Sequence, residues 1–425
     1  MLDIKFIREN AEVVKDAIRK KHLTLDLEEL LKIDAERLVA LGKVETARAR
    51  QNVVSQEIVK ASPADRAKLI TEMTALKTSF KLEESNLALV MKYWQSLMLQ
   101  VPNLPDVSVP EGADEKENQE VQVWGEKPKF DFKPQDHVEL MLKLKMVDFD
   151  RGTKVHGFRG YFLQGAGAEL SWALINYARE FFGRKKFTPF IAPAIIKREY
   201  FYGTGHLPRE ADDLYQTQDN DYLSGTAEVP MMAYHADEIL SADELPKRYL
   251  AFSPCFRREA GSHGQDTKDL IRVHEFFKLE QLILCPADHA ASATLHEEIN
   301  RNYEEFLEAL KLPYRRLLIC GGDLSLSKVK QYDTEIWFPA QGVFREGSSA
   351  SYYHDFQTRR FNIRYRGSDG KTHFAHSLNC TAVATPRLLA GLVENYQQTD
   401  GSITIPEVLR PYLGGQAVIG YGSSA

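Results

Sequence analysis

The stretch FRREAGSHGQDTKDLIRVHEFFKLE, residues 256–280, carries the strongest signal in this chain. Short runs on either side of a polar, glycine-containing loop predict an antiparallel hairpin. Because side chains two or four residues apart on a strand share a face, Arg257 and Glu259 are predicted to point one way. By the same rule Arg272, Phe276 and Glu280 are predicted to share a face. A cation, an aromatic ring and carboxylates on one sheet face could together hold a phosphate, a purine and an ammonium group.

This stretch resembles the second signature of the class II aminoacyl-tRNA synthetases, and its details resemble the seryl-tRNA synthetases. The resemblance implies that Arg257 holds the α-phosphate of ATP, that Glu259 reads the adenine end and that Phe276 stacks on the base. It also implies that Glu280 faces the serine substrate. The alternative is a surface hairpin with ion pairs and one buried phenylalanine. Phe-Arg-x-Glu alone does not separate the two, whereas Arg-x-x-x-Phe-x-x-x-Glu at the right distance favours the synthetase.

Length and charge restrict the remaining possibilities. A chain of 425 residues predicts two or three domains, and its formal charge of -6 argues against a molecule that is basic throughout. Residues 1–100 hold 17 Lys and Arg against 15 Asp and Glu, and the remainder holds 37 against 45. The mildly basic front permits contact with RNA.

The cysteines and the apolar segments argue against other classes. Cys255, Cys285, Cys320 and Cys380 form no Cys-x-x-Cys pair, so buried or reduced thiols are expected rather than a zinc site or a disulfide framework. There is no apolar run of the roughly 18 residues that a membrane span requires, and no signal-peptide core at the N-terminus. We therefore expect a soluble, cytoplasmic protein without a membrane partner.

The first hundred residues predict a long antiparallel helical hairpin. Apolar residues recur at three- and four-residue steps in its second half, as in a heptad seam: Leu69, Met73, Leu76, Phe80, Leu87, Val90, Trp94, Leu97 and Val101. The partner stretch, from about Leu27 to Lys60, has a looser seam: Leu38, Leu41, Val44, Val54 and Ile58. Ala61 to Asp65 breaks the helix and can cap the next one. Two helices of ~33 residues at 1.5 Å per residue make an arm ~50 Å long.

Basic residues lie along this arm, and a solvated charged face explains their spacing equally well. The resemblance implies a role for them, because in seryl-tRNA synthetases the arm reads the long variable arm of the tRNA. On that basis the candidate tRNA-binding residues are Arg48, Arg50, Lys60, Arg66, Lys68 and Lys77. The implied RNA partners are tRNA(Ser) and, in addition, tRNA(Sec).

The expected fold class is α+β, with the coiled-coil arm followed by a class II synthetase domain. That domain is built on an antiparallel β-sheet flanked by helices. The predicted boundaries are 1–101 for the arm, 102–135 for a proline-rich surface linker and 136–425 for the catalytic domain. Within it, the amphipathic stretch Glu169–Phe182 precedes the strand-like FTPFIAPAII, whose Pro193 matches the first class II signature. The resemblance implies that this helix and strand form a homodimer interface; an ordinary core helix and edge strand is the alternative.

Two further segments resemble substrate-binding motifs of the family. Thr226-Ala227-Glu228 resembles its serine-binding loop, and a hydroxyl and a carboxylate two residues apart can accept from an ammonium group. The run from Arg345 to Ser349 resembles the segment in which Glu346 and Ser349 hold Mg²⁺ against the triphosphate, and oxygen-only ligation suits Mg²⁺. A strand end followed by a helix cap is the alternative, because serines cap helices well.

The run Ser377–Arg387 resembles the third class II signature, with Arg387 expected at a helix start and facing the γ-phosphate. Glycines are usual where this chain has Cys380, Ala382 and Pro386. Proline is favoured in a first helical turn, whereas Cys380 and Ala382 add bulk where the backbone usually passes close to substrate. These two residues leave the dimensions of the amino-acid pocket open.

Taken residue by residue, the resemblance implies three sets. ATP is bound by Arg257, Arg258, Glu259, Arg272, Val273, Phe276, Glu346, Gly347, Ser348, Ser349 and Arg387. The catalytic residues among them are Arg257, Glu259 and Arg387. L-serine is bound by Thr226, Ala227, Glu228, Arg257, Glu280, Asn379 and Thr381.

The implied activity is ATP-dependent activation of serine followed by transfer to tRNA, with ATP and Mg²⁺ as cofactors. Three other functions stay open at this point. A paralogue could pass the activated amino acid to another acceptor, a synthetase-like protein could bind RNA or a partner without catalysis, and a coiled-coil scaffold could explain the first hundred residues alone. The joint presence of the ATP and serine motifs argues against the last two.

Overall fold

The computed structural model describes residues 1–260 and 270–421, which form two compact units, Met1–Pro102 and Asn103 onward. The polar loop at the centre of the predicted hairpin, residues 261–269, lies outside the described residues.

The first unit is helical, as predicted. Its helices are α1 (Ile4–Glu9), α2 (Ala11–Lys20), α3 (Leu27–Lys60) and α4 (Pro63–Met98). The break between α3 and α4 lies where the sequence predicts it, because Ser62 accepts a hydrogen bond from the Asp65 amide and Pro63 stands in the first turn of α4.

The seam of the long hairpin is confirmed on α4 and corrected in part on α3. Every predicted seam residue of α4 is partly or fully buried. On α3, Val44 and Val54 are buried, but the prediction for Leu38 is wrong, since it is 42% exposed. Ala40 takes its place, and Gln51 donates from Nε2 to the Leu76 carbonyl at 3.2 Å. A helix turns by 100° per residue, so Leu38 falls outside the stripe although its type suits it.

The hairpin has a small core of its own at its base. There α1 and α2 pack with the first turns of α3 and the end of α4, and Ile7, Val14, Leu30, Met98 and Val101 are buried together. The apolar seam did not predict this core, which packs the base of the hairpin against α1 and α2.

The second unit combines short and long helices with a large sheet. Its helices are α5 (His137–Lys143), α6 (Phe149–His156), α7 (Ala166–Arg184), α8 (Arg198–Thr204), α9 (Glu228–Ala233), α10 (His289–Ala309), α11 (Phe356–Phe361) and α12 (Thr385–Asn395). Its strands are β1 (Gln119–Trp124), β2 (Val147–Asp148), β3 (Phe162–Leu163), β4 (Thr188–Ile191), β5 (Ile195–Ile196), β6 (Tyr215–Gln216), β7 (Tyr222–Leu223), β8 (Ile239–Ser241), β9 (Lys247–Phe256), β10 (Glu275–Cys285), β11 (Tyr314–Leu318), β12 (Lys330–Phe338), β13 (Val343–Tyr352), β14 (Arg364–Arg366), β15 (Thr372–Phe374), β16 (His376–Ala384), β17 (Ile403–Thr404) and β18 (Val418–Ile419).

Eight strands form the main sheet in the order β1-β11-β12-β13-β16-β10-β9-β4. All neighbours in it are antiparallel except β4 and β9. The predicted antiparallel class II sheet is therefore confirmed. The helices α7, α10 and α12 pack on one face of it and enclose the main apolar core. The opposite face of β13, β16, β10 and β9 is left for the candidate site.

The segment expected to be a surface linker takes part in this sheet. The Asn103 amide group donates to the carbonyls of Ser327 at 3.0 Å and Tyr353 at 2.6 Å. Strand β1 then pairs with β11 along the sheet edge. Five prolines in residues 102–135 suggested a loop, but β1 lies between them, where six residues without proline can complete a ladder.

A buried histidine makes the stability of the second unit depend on pH. The His296 ring lies flat on Tyr332 with centroids 5.1 Å apart, and its Nε2 lies 2.9 Å from the Ala350 carbonyl. Burial lowers the pKa of His296 to about 4. The unfolded chain therefore binds a proton there, near pH 6.5, that the folded chain excludes.

We predict that His296 alone lowers the free energy of unfolding by up to about 3 kcal/mol as the pH drops from 7 to 4, on the scale of 1.36 kcal/mol for each pKa unit. Urea unfolding at several pH values measures this. His296→Gln should flatten the pH dependence, whereas His22→Gln, at an exposed position of the helical unit, should leave it unchanged. An unchanged slope in His296→Gln would contradict the prediction.

Candidate functional site

The predicted hairpin exists, but its strands are shorter than the motif. Strand β9 ends at Phe256 and β10 begins at Glu275. Arg257, Glu259 and Arg272 therefore lie in the connecting segment, and the prediction that strand alternation aligns them is wrong. Glu259 has a left-handed backbone, with φ at 52°, which no strand position allows. Alternation holds for Phe276 and Glu280, which both lie on β10.

The connecting segment nevertheless brings the motif together. Arg272 donates from Nη1 to the Glu259 carboxylate at 3.1 Å. Residues from both ends of this segment line a pocket. Its volume, counted with the solvent at its mouth, is about 510 Å³. The pocket is lined by Arg257, Glu259, Leu270, Ile271, Val273, Phe276, Lys278, Glu346, Gly347, Thr381, Ala384, Pro386 and Arg387.

Arg257 is held between two neighbouring elements. Its Nε and Nη2 each donate to the Gly225 carbonyl at 3.4 Å, and its guanidinium lies 5.6 Å from the centre of the Phe276 ring. A Cβ at position 225 would come within 3.1 Å of the Arg257 side chain, so glycine there gives the arginine room. A fixed cation next to an aromatic ring suits a nucleotide, because the cation can pair with a phosphate and the ring can stack on the base.

Arg387 supplies a second cation, in the first turn of α12 as predicted. Pro386 precedes it, and the helix tolerates this proline because it stands at the N-terminus. Arg387 donates from Nη1 to the Glu346 carboxylate at 2.9 Å and from Nε to the Ile271 carbonyl at 3.2 Å. Loss of hydration raises the pKa of Glu346, but the charge and hydrogen bond of Arg387 outweigh that effect and hold the pKa below its usual value.

Next to Glu346 lies a carboxylate that the motifs did not single out. Asp333 stands opposite Ser349 in the pairing of β12 with β13. Burial raises the pKa of Asp333 to about 7, and the nearby charge of Glu346 adds to the rise. Two carboxylates that repel each other lie here beside a serine hydroxyl. Together they offer only oxygen ligands, and a bound divalent cation would offset the repulsion between the carboxylates. The residues present therefore fit Mg²⁺.

The residues expected to bind serine converge on one buried carboxylate. Thr226 donates from Oγ1 to Glu280 Oε2 at 3.4 Å, and Thr381 stands opposite Glu280 in the register of β10 and β16. Glu228 begins α9, is buried, and accepts a hydrogen bond from Gln357. Around them, Ala227 is fully buried, and Asn379 accepts a hydrogen bond from the Tyr353 hydroxyl at 3.1 Å. The result is a polar recess for a small molecule that carries donors.

Cys380 and Ala382 do not narrow this recess. Both belong to the apolar core, on the helix-facing side of β16. Asn379 and Thr381 alternate with them and face the other way. The expectation that Cys380 and Ala382 place bulk against substrate is therefore wrong, and the sheet alternation is the physical reason.

Three residues of the expected ATP set, Gly347, Ser348 and Arg258, have contacts with the protein itself. The Ser348 hydroxyl donates to the Thr381 carbonyl at 2.7 Å, so it braces β13 against β16. A Cβ on Gly347 would lie 2.5 Å from the Tyr303 hydroxyl, which explains a glycine there. Arg258 is exposed, and its backbone amide donates to the Asp213 carbonyl at 2.9 Å; it is not among the residues that line the pocket.

The candidate tRNA-binding residues divide into two groups on the arm. Arg48 pairs with Glu84 at 3.5 Å and Arg50 with Glu72 at 2.6 Å, so both hold α3 to α4. Lys60, Arg66 and Lys68 are exposed near the tip, and Lys77 is exposed further along α4. No described helix is both long and apolar enough to cross a lipid bilayer.

The first-signature helix and strand leave apolar side chains uncovered. Trp172 on α7 is 52% exposed and stacks on Phe277, while Ile191 at the end of β4 is 86% exposed. Exposed apolar residues of this size in one region are typical of an interface.

Comparisons with known proteins agree with this geometry. A family model described as the seryl-tRNA synthetase N-terminal domain matches residues 1–105, and one described as the class II core domain for G, H, P, S and T matches residues 213–396.

A serine–tRNA ligase of Deinococcus radiodurans is 44% identical, covering 99% of both chains. The crystal structure of seryl-tRNA synthetase from Pyrococcus horikoshii complexed with ATP is 37% identical, with a TM-score of 0.89 over 99% of each chain. A cytoplasmic serine–tRNA ligase from Naegleria fowleri in complex with AMP is 32% identical, with a TM-score of 0.86 over 100% of this chain and 99% of that one. By full-length similarity and by the architecture of both units, the chain belongs to the seryl-tRNA synthetase family of class II aminoacyl-tRNA synthetases.

Proposed function

We propose that the chain activates L-serine with ATP to seryl-adenylate and transfers the seryl group to tRNA(Ser). One observation supports this most strongly: Arg257, Arg387 and the Glu346 carboxylate line one pocket together with Lys278, whose ion-pair partner is the buried Glu280. A module that only binds RNA, or a coiled-coil scaffold, would have no use for that arrangement. The ATP in the Pyrococcus horikoshii complex and the AMP in the Naegleria fowleri complex also favour a nucleotide substrate.

In the first step the serine carboxylate attacks the α-phosphorus of ATP, and pyrophosphate leaves. Phosphoryl transfer needs alignment of the reactants and neutralisation of charge more than it needs covalent help from the protein. Arg257 would hold the α-phosphate, Phe276 would stack on the adenine, and Arg387 would face the γ-phosphate. Glu259, with Arg272 and Val273 beside it, would read the adenine edge.

Glu346 and Ser349 would hold Mg²⁺, with Asp333 close enough to add a third oxygen. When bound, Mg²⁺ would neutralise negative charge on the triphosphate. The chain's own part is to keep these oxygens on β12 and β13 at a fixed spacing and to keep Arg387 next to them. This role for Asp333 extends the pair expected from the motif.

Serine would bind through Glu280, Thr226 and Thr381, with Glu228 and Asn379 shaping the recess. A buried site that hydrogen-bonds the substrate hydroxyl rejects an analogue without it by a factor of ~10⁴, because the site's polar groups are then left unpaired. Alanine is therefore refused through the missing hydroxyl.

In the second step the terminal ribose hydroxyl of tRNA would attack the acyl carbon of seryl-adenylate and AMP would leave, with the arm holding the RNA. Lys60, Arg66, Lys68 and Lys77 suit phosphate contacts, which position RNA without reading its sequence. The proposal includes tRNA(Sec) as a second RNA substrate, a homodimer formed through the region of Trp172 and Ile191, and a cytoplasmic location, where tRNA is charged.

We predict that Arg257→Ala lowers serine-dependent ATP–pyrophosphate exchange by ~10²-fold or more, the scale of losing one preorganised donor. Arg366→Ala, on the small sheet of β8, β14 and β15, is the matched control and should keep wild-type exchange. Near-normal exchange in Arg257→Ala would refute the role given to this arginine. Exchange with another amino acid, but not with serine, would refute the proposed substrate.

A second prediction separates the arm from the chemistry. Replacing residues 48–80 by a short glycine linker removes the tip of the hairpin and keeps the base, including Arg37, whose guanidinium lies 4.8 Å from the Trp94 ring centre. Charging of tRNA should then be lost while pyrophosphate exchange continues, because the described pocket lies wholly within the second unit.

A full-length control tests charge alone. Changing Lys60, Arg66, Lys68 and Lys77 together to glutamine keeps the helices but removes four cations. Charging at low tRNA concentration should fall about tenfold or more, with a weaker dependence on salt. Loss of exchange in either variant would mean that the arm supports the fold instead.

A further inference from the structure

Lys278 and Glu280 form an ion pair that the family motifs leave without a role for the lysine. They stand two positions apart on β10 and face the same side of the sheet. Lys278 Nζ lies 2.5 Å from Glu280 Oε2, and the side chains are only 9% and 2% exposed. Lys278 also lines the candidate nucleotide pocket. The pair therefore lies where the proposed nucleotide and amino-acid sites meet.

A buried pair of this kind is not retained for stability. Removing two charges from water costs several kcal/mol per ion, and apolar residues of similar size serve a core at least as well. Breaking such a pair is costly, because one charge is then left without compensation. A lysine in this position therefore calls for a reason connected with the site.

The groups around Glu280 indicate what that reason is. Burial raises the pKa of Glu280, and the nearby charge of Glu228 on α9 raises it further. The charge and hydrogen bond of Lys278 lower this pKa, and so does the charge of Arg257. Tyr353 faces the same carboxylate from the end of β13. Lys278 is thus the strongest group that favours the charged form of Glu280. Without Lys278, the pKa of Glu280 would rise further.

Charge balance during binding points the same way. The substrate's ammonium group needs a charged carboxylate, and in the empty pocket an ammonium group, that of Lys278, already lies against Glu280. The substrate also brings its own carboxylate, which needs a cation. An exchange satisfies both needs: the substrate ammonium replaces Lys278 at Glu280, and Lys278 meets the substrate carboxylate. No charge is left unpaired at any stage, which matters in a site with little water.

We propose that Lys278 is a positioning residue for the amino-acid substrate, which holds Glu280 charged and in place in the empty pocket and yields it to the substrate's ammonium group. This inference rests on the proposed function and deepens it, because it assigns the group that prepares the serine site. Lys278 acts on the amino acid and not on the nucleotide. Loss of Lys278 should therefore change the KM for serine without an equal change in the KM for ATP.

The test compares wild type, Lys278→Met and Lys278→Arg in ATP–pyrophosphate exchange. We expect the KM for serine to rise about tenfold or more in Lys278→Met, the scale of one hydrogen bond to a charged group. The KM for ATP should change little. The acid limb of the pH profile of kcat/KM for serine should move to higher pH, because Glu280 then loses its proton only at higher pH. Lys278→Arg should restore most of the wild-type behaviour.

A double variant keeps the test decisive if Lys278→Met folds poorly. Glu280→Gln removes the charge that Lys278 acts on, and Lys278→Met/Glu280→Gln leaves a neutral pair. If Lys278 works mainly through Glu280, the KM values of these two variants for serine should differ by much less than the tenfold expected for Lys278→Met, because only the contact of Lys278 with the substrate carboxylate separates them. A tenfold difference between them would overturn the proposal.

Three further outcomes have fixed meanings. An unchanged KM for serine in a folded Lys278→Met overturns the inference, and so does an equal rise in the KM values for serine and ATP without a shift of the pH profile. Wild type without serine-dependent exchange refutes the proposed function itself. Because wild type is measured first, the two failures are distinguishable.

Discussion

The hydrogen-bonded pairing of β10 with β16 is the constraint on which the rest of the site depends. It sets Glu280 opposite Thr381, after a register shift between Leu279 and Glu280. Alternation along both strands then sends one set of side chains into the core and the other into the site. A slip of one residue would put Cys380 where Thr381 stands and would move Lys278 and Glu280 away from the pocket. The same ladder therefore closes the core and builds the pocket.

The charged groups of the pocket are matched within the protein before any substrate arrives. Arg387 lies against Glu346, Arg272 against Glu259, and Lys278 against Glu280. In the pairs of Arg387 with Glu346 and of Lys278 with Glu280, the two groups would meet different parts of the substrates or the metal ion. At the Lys278–Glu280 pair, binding would be an exchange of partners between charges that are already buried, and the cost of removing them from water falls on folding.

The sequence predicted the parts of the fold that repeat or that match a motif. The two long helices, the antiparallel sheet and the position of Arg387 in a first helical turn all follow from spacing or resemblance. The conformation of the connecting segment could not be predicted in this way. Strand alternation applies only to residues within the hydrogen-bonded ladder, and Glu259 lies outside it with a left-handed backbone. Lys278 and Asp333 were not singled out, since their partners become visible only once the register of β10, β12 and β13 is known.

Strand β1, in the segment expected to be a linker, covers the outer side of β11. It is short, and Glu120 and Gln122 on it contact Arg315 and Arg316 of β11. An unpaired sheet edge invites pairing with another chain, whereas a short strand that carries charged and amide side chains invites it less. A fragment cut at residue 136 would remove this cover and bare β11, so it would be prone to aggregate. A fragment that begins at Asn103 keeps β1 at this edge, together with the Asn103 side chain that holds the segment to the loop before β12.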